Sequence, residues 1–277
     1  MPELPEVESL RRILRRSALG RTIVGARIRP IPLRRRLTGD FAAQVTGRTI
    51  RDISRRAKYL IIDLEGDDVI LVHLGMSGSL THRRGPSDDA GFDSRHDHIE
   101  FLLDDATRIV FNDPRRFGLV RIMPRAALAT SAELRGIGPE PLSAEFSAKY
   151  LAVKARGRRV AIKNLIMDQR IVAGIGNIYA AEILFHARVR PTRRAGRVSA
   201  AELEKIAAFA RAVLRAAIGS RGTTFRSYRD SRGRPGRFAA RLQVYGREGK
   251  SCPVCAGEIR NVVVGQRASF YCPRCQK

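Results

Sequence analysis

The first residues of the chain combine a proline with nearby acids in a way that could do chemistry. An initiator Met before a small proline is commonly removed, so the mature chain would begin with the secondary amine of Pro2. An α-amine titrates near 8, against about 10.4 for a lysine, so much more of it is uncharged at neutral pH. An uncharged amine can attack the anomeric carbon of a sugar and form an iminium. Glu3 and Glu6 stand beside it as acidic partners.

The residues that follow have the pattern of a helix. Pro5 suits the first helical turn, and Glu6 and Glu8 complement the positive N-terminal end of that helix. Apolar residues recur at helical spacing and predict a buried stripe of Val7, Leu10, Ile13 and Leu14. Two prolines and three acids argue against a secretory signal, which needs a basic start and an apolar run. On these residues alone, a capped surface helix that happens to follow a proline is the commoner interpretation.

The four cysteines form a second chemical motif at the C-terminal end of the chain. Their spacing is Cys252-x2-Cys255-x16-Cys272-x2-Cys275, which is typical of a tetrathiolate zinc site. Disulfides are the alternative, but close CxxC pairs in a chain without a secretion signal rarely serve as staples. The spacing therefore predicts one structural zinc ion in a ribbon that works in a reducing compartment.

The charge of the chain indicates a polyanionic partner. With 52 basic and 27 acidic residues the formal net charge is +25, and the sequence pI is about 11.3. An excess of this size along the whole chain is typical of proteins that bind nucleic acid. An anionic membrane is the weaker alternative, because no basic amphipathic helix with an aromatic face and no long apolar run stands out.

The first part of the chain has the pattern of a β domain. Short apolar and β-branched runs predict strands over residues 22–29, 48–54, 58–64, 69–74, 98–103, 107–111 and 119–123. Strands at this spacing, with no helices between them, indicate an antiparallel sandwich or barrel. We expect the N-terminal helix to pack on its edge. The polar segment 83–95 is predicted to be a mobile surface loop.

Helical periodicity follows a linker rich in Ala, Gly and Pro. It predicts helices over 150–155, 161–167, 177–187 and 200–218, the last with a capping pattern of Ser199 and Glu202. Asn177 follows a glycine-containing turn and is placed to N-cap the next helix, whose first N–H groups could hold a phosphate. An ordinary hairpin of two helices is the commoner explanation of such a turn.

Two stretches carry side chains that could fill a vacancy in a base stack. In the segment 112–118, Phe117 could wedge between bases while Arg115 pairs with the base left behind. A salt-bridged hairpin tip is equally compatible with that composition. Met76, in the glycine-flanked sequence HLGMSG, is either a second wedge or a core methionine.

Two basic residues stand apart from the general excess of arginine. Lys58 is one of only seven lysines, and lysine can transfer protons where arginine cannot. Arg267 lies between the two cysteine pairs, where a bound metal would hold it on a rigid arm for a phosphate. For both residues a plain solvated charge is the alternative.

Five separated motifs, taken together, resemble one family. PELPEVE at the start, HLGMSG, DPRRFG, GIGNIYA and the four-cysteine ribbon occur in this order across the whole chain. They resemble the bacterial formamidopyrimidine-DNA glycosylase family, also called 8-oxoguanine DNA glycosylase or DNA-(apurinic or apyrimidinic site) lyase. The resemblance implies a bifunctional enzyme that excises 8-oxoguanine and formamidopyrimidines from duplex DNA and cleaves the abasic strand by β,δ-elimination.

The resemblance also implies a role for individual catalytic residues. Pro2 would be the Schiff-base nucleophile at C1′ of the damaged nucleotide, with Glu3 as the proton donor. Glu6 would help to position water or the opened sugar. Lys58 matches the lysine that assists β-elimination, and Arg267 matches the finger arginine associated with δ-elimination and phosphate binding.

Further positions match DNA contacts and the metal site. The residues that would fill the hole left by the flipped base are Met76, Arg115 and Phe117. The other DNA-contact positions are His96, Arg158 and Asn177. Arg158 lies in a variable basic run, where the matching residue could instead be its neighbour Arg159. One structural zinc ion would be held by Cys252, Cys255, Cys272 and Cys275. No catalytic metal or organic cofactor is expected.

The fold implied by the resemblance is α+β with several domains. A helix and an antiparallel β-sandwich would form a catalytic domain over 1–125. A helix-two-turn-helix DNA-binding domain would follow over 130–225, and a zinc finger over 243–277. The expected molecule is a monomer in the bacterial cytoplasm that binds double-stranded DNA with oxidised bases and no membrane.

Two other functions remain open at this stage. The sister family, endonuclease VIII, removes oxidised pyrimidines. However, residues 221–237 resemble the lesion-capping loop of the purine enzymes, and the Leu-Pro-Glu-Val that follows Glu3 favours them too. A catalytically inactive zinc-finger DNA-binding protein would share the charge and the ribbon, but it would have no reason to keep Pro2, Glu3 and Lys58 together.

Overall fold

The structure is a computed structural model that describes residues 1–37, 39–85, 92–224 and 230–277. It divides into two compact units. The first unit contains Met1–Arg135 and Ser220–Arg237, and the second contains Gly136–Gly219 and Phe238–Lys277. The predicted fold class, helices with antiparallel sheets and a four-cysteine ribbon, is confirmed. Within the described ranges, no helix is both long enough and apolar enough to cross a membrane.

The first unit contains two four-stranded antiparallel sheets. In spatial order, one consists of β1 (Ile23–Ile28), β6 (Asp97–Leu103), β7 (Thr107–Asn112) and β5 (Ser79–Arg84). The other consists of β2 (Ile50–Arg56), β3 (Tyr59–Leu64), β4 (Asp68–His73) and β8 (Leu119–Pro124). Apolar side chains from both sheets, among them Phe101 and Ile62, share one buried cluster. The predicted sandwich is therefore confirmed.

Two short elements of this unit differ from the sequence-based prediction. Strand β5 contains Arg83 and Arg84, so the predicted loop 83–95 begins too early. The strand has one buried apolar side chain, Leu80, and lacks the alternation by which strands are recognised. The second element is α2 (Phe41–Val45), a short helix without a predicted counterpart, which Asp40 caps through the N–H of Ala43. Residues 86–91 of the loop lie outside the described residues.

Helix α1 (Leu4–Ala18) places the N-terminus against the sandwich. Its stripe of Val7, Leu10 and Leu14 is buried in the same cluster as the two sheets. The helix packs mainly on the edge strand β2 and also contacts β5, the edge of the other sheet. The N-terminal end of α1 is therefore fixed by packing along the whole helix, as the predicted edge position requires.

Glu8 ties this helix to the turn between β2 and β3. Its carboxylate accepts hydrogen bonds from Arg11 and Arg12 on α1 and from Arg55 on β2. Arg55 also donates from Nη1 to the carbonyl of Ala57 at 2.8 Å. Burial raises the pKa of Glu8, but the hydrogen bonds from Arg11 and Arg12 outweigh burial and lower it to about 2.

We expect Glu8→Gln to remove a pH-dependent part of the stability. Because the folded-state pKa lies below the unfolded value of 4.5, this contribution is fully present above pH 4.5 and disappears as the pH falls towards 2. At pH 7 the variant should lose about 1–2 kcal/mol of unfolding free energy, since solvent screens part of the interaction. Urea unfolding between pH 7 and 3 measures it, with the exposed Glu204→Gln as control. A difference from wild type that is the same at every pH contradicts the assignment.

The second unit is helical and ends in a zinc-ribbon-like hairpin. Its helices are α3 (Ala148–Ala155), α4 (Ile162–Met167), α5 (Asn177–His186) and α6 (Ala200–Gly219), and its strands are β9 (Arg260–Val264) and β10 (Arg267–Tyr271). The predicted cap of α6 is confirmed, because Ser199 N donates to Glu202 at 2.8 Å and Glu202 N donates to the Ser199 hydroxyl. The Glu182 carboxylate of α5 accepts the N–H groups of residues 243–245 and so anchors the chain that leads to the ribbon.

Candidate active site and nucleic-acid interface

The N-terminus lies at a buried end of α1. Pro2 and Glu3 are buried, whereas Met1 is 42% exposed. Glu3 is the N-cap of the helix, where its side chain accepts the N–H of Glu6 and the Glu6 side chain accepts the N–H of Glu3. This reciprocal capping box fixes the backbone next to Pro2. It also places two carboxylates within one helical turn of the terminal amine.

Glu6 connects the N-terminus with the start of the predicted capping loop, 221–237. One oxygen accepts the N–H of Glu3 at 2.8 Å, and the other accepts the N–H of Thr223 at 2.7 Å. Gly222 has φ +78°, and a Cβ there would lie 2.6 Å from Oε1 of Glu6. Only glycine therefore fits beside this carboxylate. Residues 225–229 of the predicted capping loop lie outside the described residues.

Lys58 is buried, which argues against the solvated charge that a lone lysine usually represents. It lies in the turn between β2 and β3, and only 6% of it is exposed. Burial lowers the pKa of the amine at residue 1, and the charges of Lys58 and Arg115 lower it further, against the opposing charges of Glu3 and Glu6. The structure therefore brings the terminal amine, two acids and two cations together in the first unit. A lowered pKa increases the fraction of neutral, nucleophilic amine at pH 7.

The three predicted wedge residues lie on two adjoining loops of the first unit. Met76 is 40% exposed, so it is not a core methionine. Phe117 is 46% exposed, and the guanidinium of the exposed Arg115 lies 4.7 Å from the centre of its ring. His96 is half-buried, and its carbonyl accepts the N–H of Asp113 at 2.9 Å, which places it next to the same loop. These four side chains are available to an external ligand.

The remaining predicted contacts belong to the second unit, and one prediction about them is wrong. Asn177 does not N-cap α5, because Gly176 occupies the cap position and Asn177 is the first helical residue. Its Nδ2 instead donates to the carbonyl of Ala268 in the ribbon hairpin at 3.0 Å. Arg158 lies exposed just after α3, and its carbonyl accepts the N–H of Gly196. Its neighbour Arg159 is exposed as well.

Arg267 is the exposed first residue of β10, beside the turn of the ribbon hairpin. The hairpin is attached to the helices by Lys163, whose Nζ donates to the carbonyl of Ala268 at 3.0 Å and to the hydroxyl of Ser269. Lys163 has no exposed surface. The predicted rigid arm is thus held by the helices as well as by the cysteines. Sequence reasoning missed Lys163, because nothing local to AIK indicates that its amine meets a strand a hundred residues later.

The four cysteines fit one tetrahedral metal ion. Their sulfur atoms all lie within 4.8 Å of one another, with Cys252 and Cys275 at 3.8 Å and Cys255 and Cys272 at 3.5 Å. Zn–S bonds of about 2.3 Å in a tetrahedron place sulfur atoms roughly 3.8 Å apart. The backbone N–H of Gly257 lowers the pKa of Cys255 to about 7, whereas burial raises the pKa of Cys272 and that of Cys275, the latter to about 12. A bound metal ion would hold all four cysteines as thiolates. The cysteines would hold structural zinc and leave no open coordination position.

Comparisons with known proteins cover the whole chain. Residues 1–120 match the formamidopyrimidine-DNA glycosylase N-terminal domain, residues 137–229 the formamidopyrimidine-DNA glycosylase H2TH domain, and residues 249–277 a zinc finger found in FPG and IleRS. The formamidopyrimidine-DNA glycosylase of Halorhodospira halophila is 45% identical over 277 residues, which is 100% of both chains.

Solved structures of a second relative carry DNA. The wild-type Lactococcus lactis Fpg (MutM) in complex with a DNA containing N7-benzyl-Fapy-dG superposes with a TM-score of 0.90 at 31% identity, covering 100% of both chains. The Lactococcus lactis Fpg in complex with a DNA containing an abasic site also has a TM-score of 0.90 and 31% identity, covering 99% of both chains. At 31% identity over nearly the whole chain, these structures resemble this chain in sequence as well as in fold.

We expect purified protein to contain one zinc ion per chain, and Cys272→Ser to lose it, because three thiolates bind zinc much more weakly than four. Elemental analysis of the protein measures the metal. Ser251→Ala, next to the same site, is the matched control and should keep the metal. The helical core of this unit contains no cysteine, so the helical circular dichroism of Cys272→Ser should change little. A full zinc content in Cys272→Ser contradicts the site.

Proposed function

The chain belongs to the formamidopyrimidine-DNA glycosylase family, and on that premise we propose that it excises oxidised purines from duplex DNA and then cleaves the abasic strand. The proposed substrates are 8-oxoguanine and formamidopyrimidine lesions. The observation that carries this proposal is the buried Pro2, next to Glu3, at a chain end whose amine is influenced by the charges of Glu3, Glu6 and Lys58. A protein that only binds DNA has no use for a buried Pro2 beside two acids and a lysine.

In the proposed first step Pro2, freed of Met1, attacks C1′ of the damaged nucleotide. A new C–N bond forms to the proline as the glycosidic bond breaks, and the base leaves after it receives a proton. Glu3 is the proposed proton donor, since it lies next to Pro2 and is buried where a proton can be passed without exchange with bulk water. The target base must leave the stack first, because C1′ is unreachable inside the duplex.

In the proposed second step the same covalent bond drives strand scission. The C1′–O4′ bond opens as O4′ takes up a proton, which converts the proline adduct into an iminium at C1′. The iminium acidifies the proton on C2′, and transfer of that proton to a base expels the 3′ phosphate. Lys58 is the proposed base, because it is buried near the terminal amine and a lysine can transfer protons. Loss of a further sugar proton expels the 5′ phosphate, with Arg267 as the proposed phosphate ligand. Water then releases the sugar fragment and restores the free amine of Pro2.

DNA is the proposed partner of both units. In the first unit Met76, Arg115 and Phe117 would fill the space left by the flipped base, and His96 would contact the backbone. In the second unit Arg158, Asn177 and Arg267 would bind phosphates. Asn177 is the first residue of α5, so its phosphate would lie close to the first N–H groups of that helix. The complexes of the Lactococcus lactis relative with lesion-containing DNA support this proposal. We also keep as proposals the three domains over 1–125, 130–225 and 243–277.

We expect borohydride to trap a covalent complex with duplex DNA that carries 8-oxoguanine opposite cytosine, with the DNA attached at Pro2. Mass spectrometry of the digested complex identifies the attached residue. Glu3→Gln should slow base release while it retains trapping on a preformed abasic site, because the proton is needed only for the leaving base. The matched control is the exposed Glu204→Gln, which should behave as wild type.

A panel of lesions in the same assay separates the other functions. An enzyme of the endonuclease VIII kind would trap best on oxidised pyrimidines. A catalytically inactive DNA-binding protein would trap on no lesion, even when zinc-loaded and shown to lack Met1. Attachment at a residue other than Pro2, or full activity of protein that retains Met1, rules out the proposed nucleophile.

We expect the affinity for DNA to depend steeply on salt. If about five phosphates are neutralised, log K falls with log salt at a slope of roughly −4.5. Arg158→Ala and Arg267→Ala should each reduce the slope by about 0.9, since each removes one phosphate contact. Arg215→Ala, which removes an exposed arginine of α6 outside the proposed contacts, should leave the slope unchanged. Fluorescence anisotropy at 50–200 mM salt measures the slope, and a value close to zero contradicts the electrostatic argument.

A further inference from the structure

The loops that carry the proposed wedge residues are joined by one buried carboxylate. Asp113 has no exposed surface and begins the loop that bears Arg115 and Phe117. Its Oδ1 accepts the hydroxyl of Ser77 at 2.6 Å, and Ser77 follows Met76 on the other loop. Its Oδ2 accepts the N–H of Gly118 at 2.7 Å. The Asp113 side chain therefore joins the two loops and also closes the loop that it begins.

Further hydrogen bonds fix the backbone of Asp113 itself. Its N–H donates to the carbonyl of His96 at 2.9 Å, and its carbonyl accepts a hydrogen bond from Nε2 of the buried His98 at 2.9 Å. That carbonyl can only accept, so the histidine carries its proton on Nε2. The N–H of Arg116 also donates to this carbonyl, at 3.2 Å. Both ends of the Asp113 residue, backbone and side chain, are thus held by neighbouring elements.

The two loops also touch through their backbones. Gly75 has φ +60°, and a Cβ there would lie 2.6 Å from the carbonyl carbon of Phe117. The N–H of Arg115 points to Ser77 Oγ and to Asp113 Oδ1, at 3.3 Å in each case. In contrast, the side chains of Met76 and Phe117 are 40% and 46% exposed, so neither is enclosed by the core. Their positions therefore depend on the backbone that Asp113 and Ser77 hold.

We propose that Asp113, acting through Ser77, is a positioning residue that makes Met76, Arg115 and Phe117 enter DNA as one rigid unit. This inference rests on the proposed function. Extruding a base from the duplex costs a few kcal/mol, and a wedge offsets that cost only if it does not yield when it is inserted. Loops that could slide past one another would deform instead of holding the stack open. Neither Asp113 nor Ser77 touches the reacting sugar in this proposal.

The proposal separates two activities that share the catalytic residues. Release of 8-oxoguanine requires extrusion of an intact base, whereas cleavage at a preformed abasic site does not. We expect Ser77→Ala to slow base release from duplex DNA by about ten-fold or more in single turnover, since small errors of placement have effects of this size. Cleavage at the abasic site should stay close to the wild-type rate. Asp113→Asn, which keeps the shape but loses the charged acceptor, should show the same split more strongly.

The matched controls carry the same chemical changes away from these loops. Asp67→Asn removes an exposed charge from the turn between β3 and β4, so it reproduces the change in net charge that affects DNA binding. Ser17→Ala removes a hydroxyl from α1. Both should match wild type in both assays. If Asp113→Asn proves unstable at the assay temperature, Ser77→Ala decides the question alone.

A second readout reports on the wedge directly. A 2-aminopurine next to the lesion fluoresces when its stacking is disturbed, and both variants should reduce the amplitude of the fast change that accompanies insertion. The double variant should be no slower than Asp113→Asn alone, because the two residues act through one contact. Equal losses in base release and abasic-site cleavage, or no loss in either, overturn the inference while the function stands. A wild-type protein that neither releases the base nor traps refutes the proposed function instead.

Discussion

The first unit depends on the burial of charged groups around the start of α1. Glu6 is 1% exposed, so each of its oxygens must find a donor inside the protein. Two of the donors are the backbone N–H groups of Glu3 and Thr223, which lie more than two hundred residues apart in the chain. The carboxylate therefore holds the N-terminus and the approach to the 225–229 segment at one point. A shift of either segment would deprive a buried carboxylate of one of these hydrogen bonds, which costs more than the hydrogen bond itself contributes.

The positive end of α1 and the proximity of opposite charges explain why Glu3, Glu6 and Lys58 can be buried together. Glu3 and Glu6 lie at the positive end of α1, where the helix dipole and the free N–H groups favour negative charge. Lys58 approaches the same region from the turn between β2 and β3, and Glu8 secures that turn through Arg55. Burial and the nearby cations lower the pKa of the amine at residue 1, while the two acids oppose that effect. This environment suits a nucleophilic amine, whereas an ordinary chain end would be solvated.

Sequence patterns predicted the elements whose structure is set by neighbouring residues. They failed for features that depend on contacts with distant parts of the chain. The helix over 200–218 and the strand over 107–111 differ from Ala200–Gly219 and Thr107–Asn112 by a residue at one end, because their periodicity and caps are local signals. Strand β5 was missed because its ladder with β7, and not its own composition, makes it a strand. The cap predicted for Asn177 was wrong because its amide is bound to Ala268, on a distant hairpin. The burial of Lys58 had no local signal either. The family motifs supplied the candidate catalytic residues, whose roles remain predictions.

In each unit, hydrogen bonds made by one buried charged side chain, here called the anchor, fix the backbone that carries exposed side chains. In the first unit the anchor is Asp113, which accepts from Ser77 and Gly118 beneath Met76, Arg115 and Phe117. In the second it is Lys163, which donates to the residues next to Arg267. An apolar anchor would leave the carbonyl and N–H groups of such tight loops unpaired, so a charged group with several hydrogen bonds is the better choice. The proposed contacts with DNA require these side chains to be exposed, so their positions must come from their neighbours. The buried charged groups Asp113 and Lys163 supply those positions.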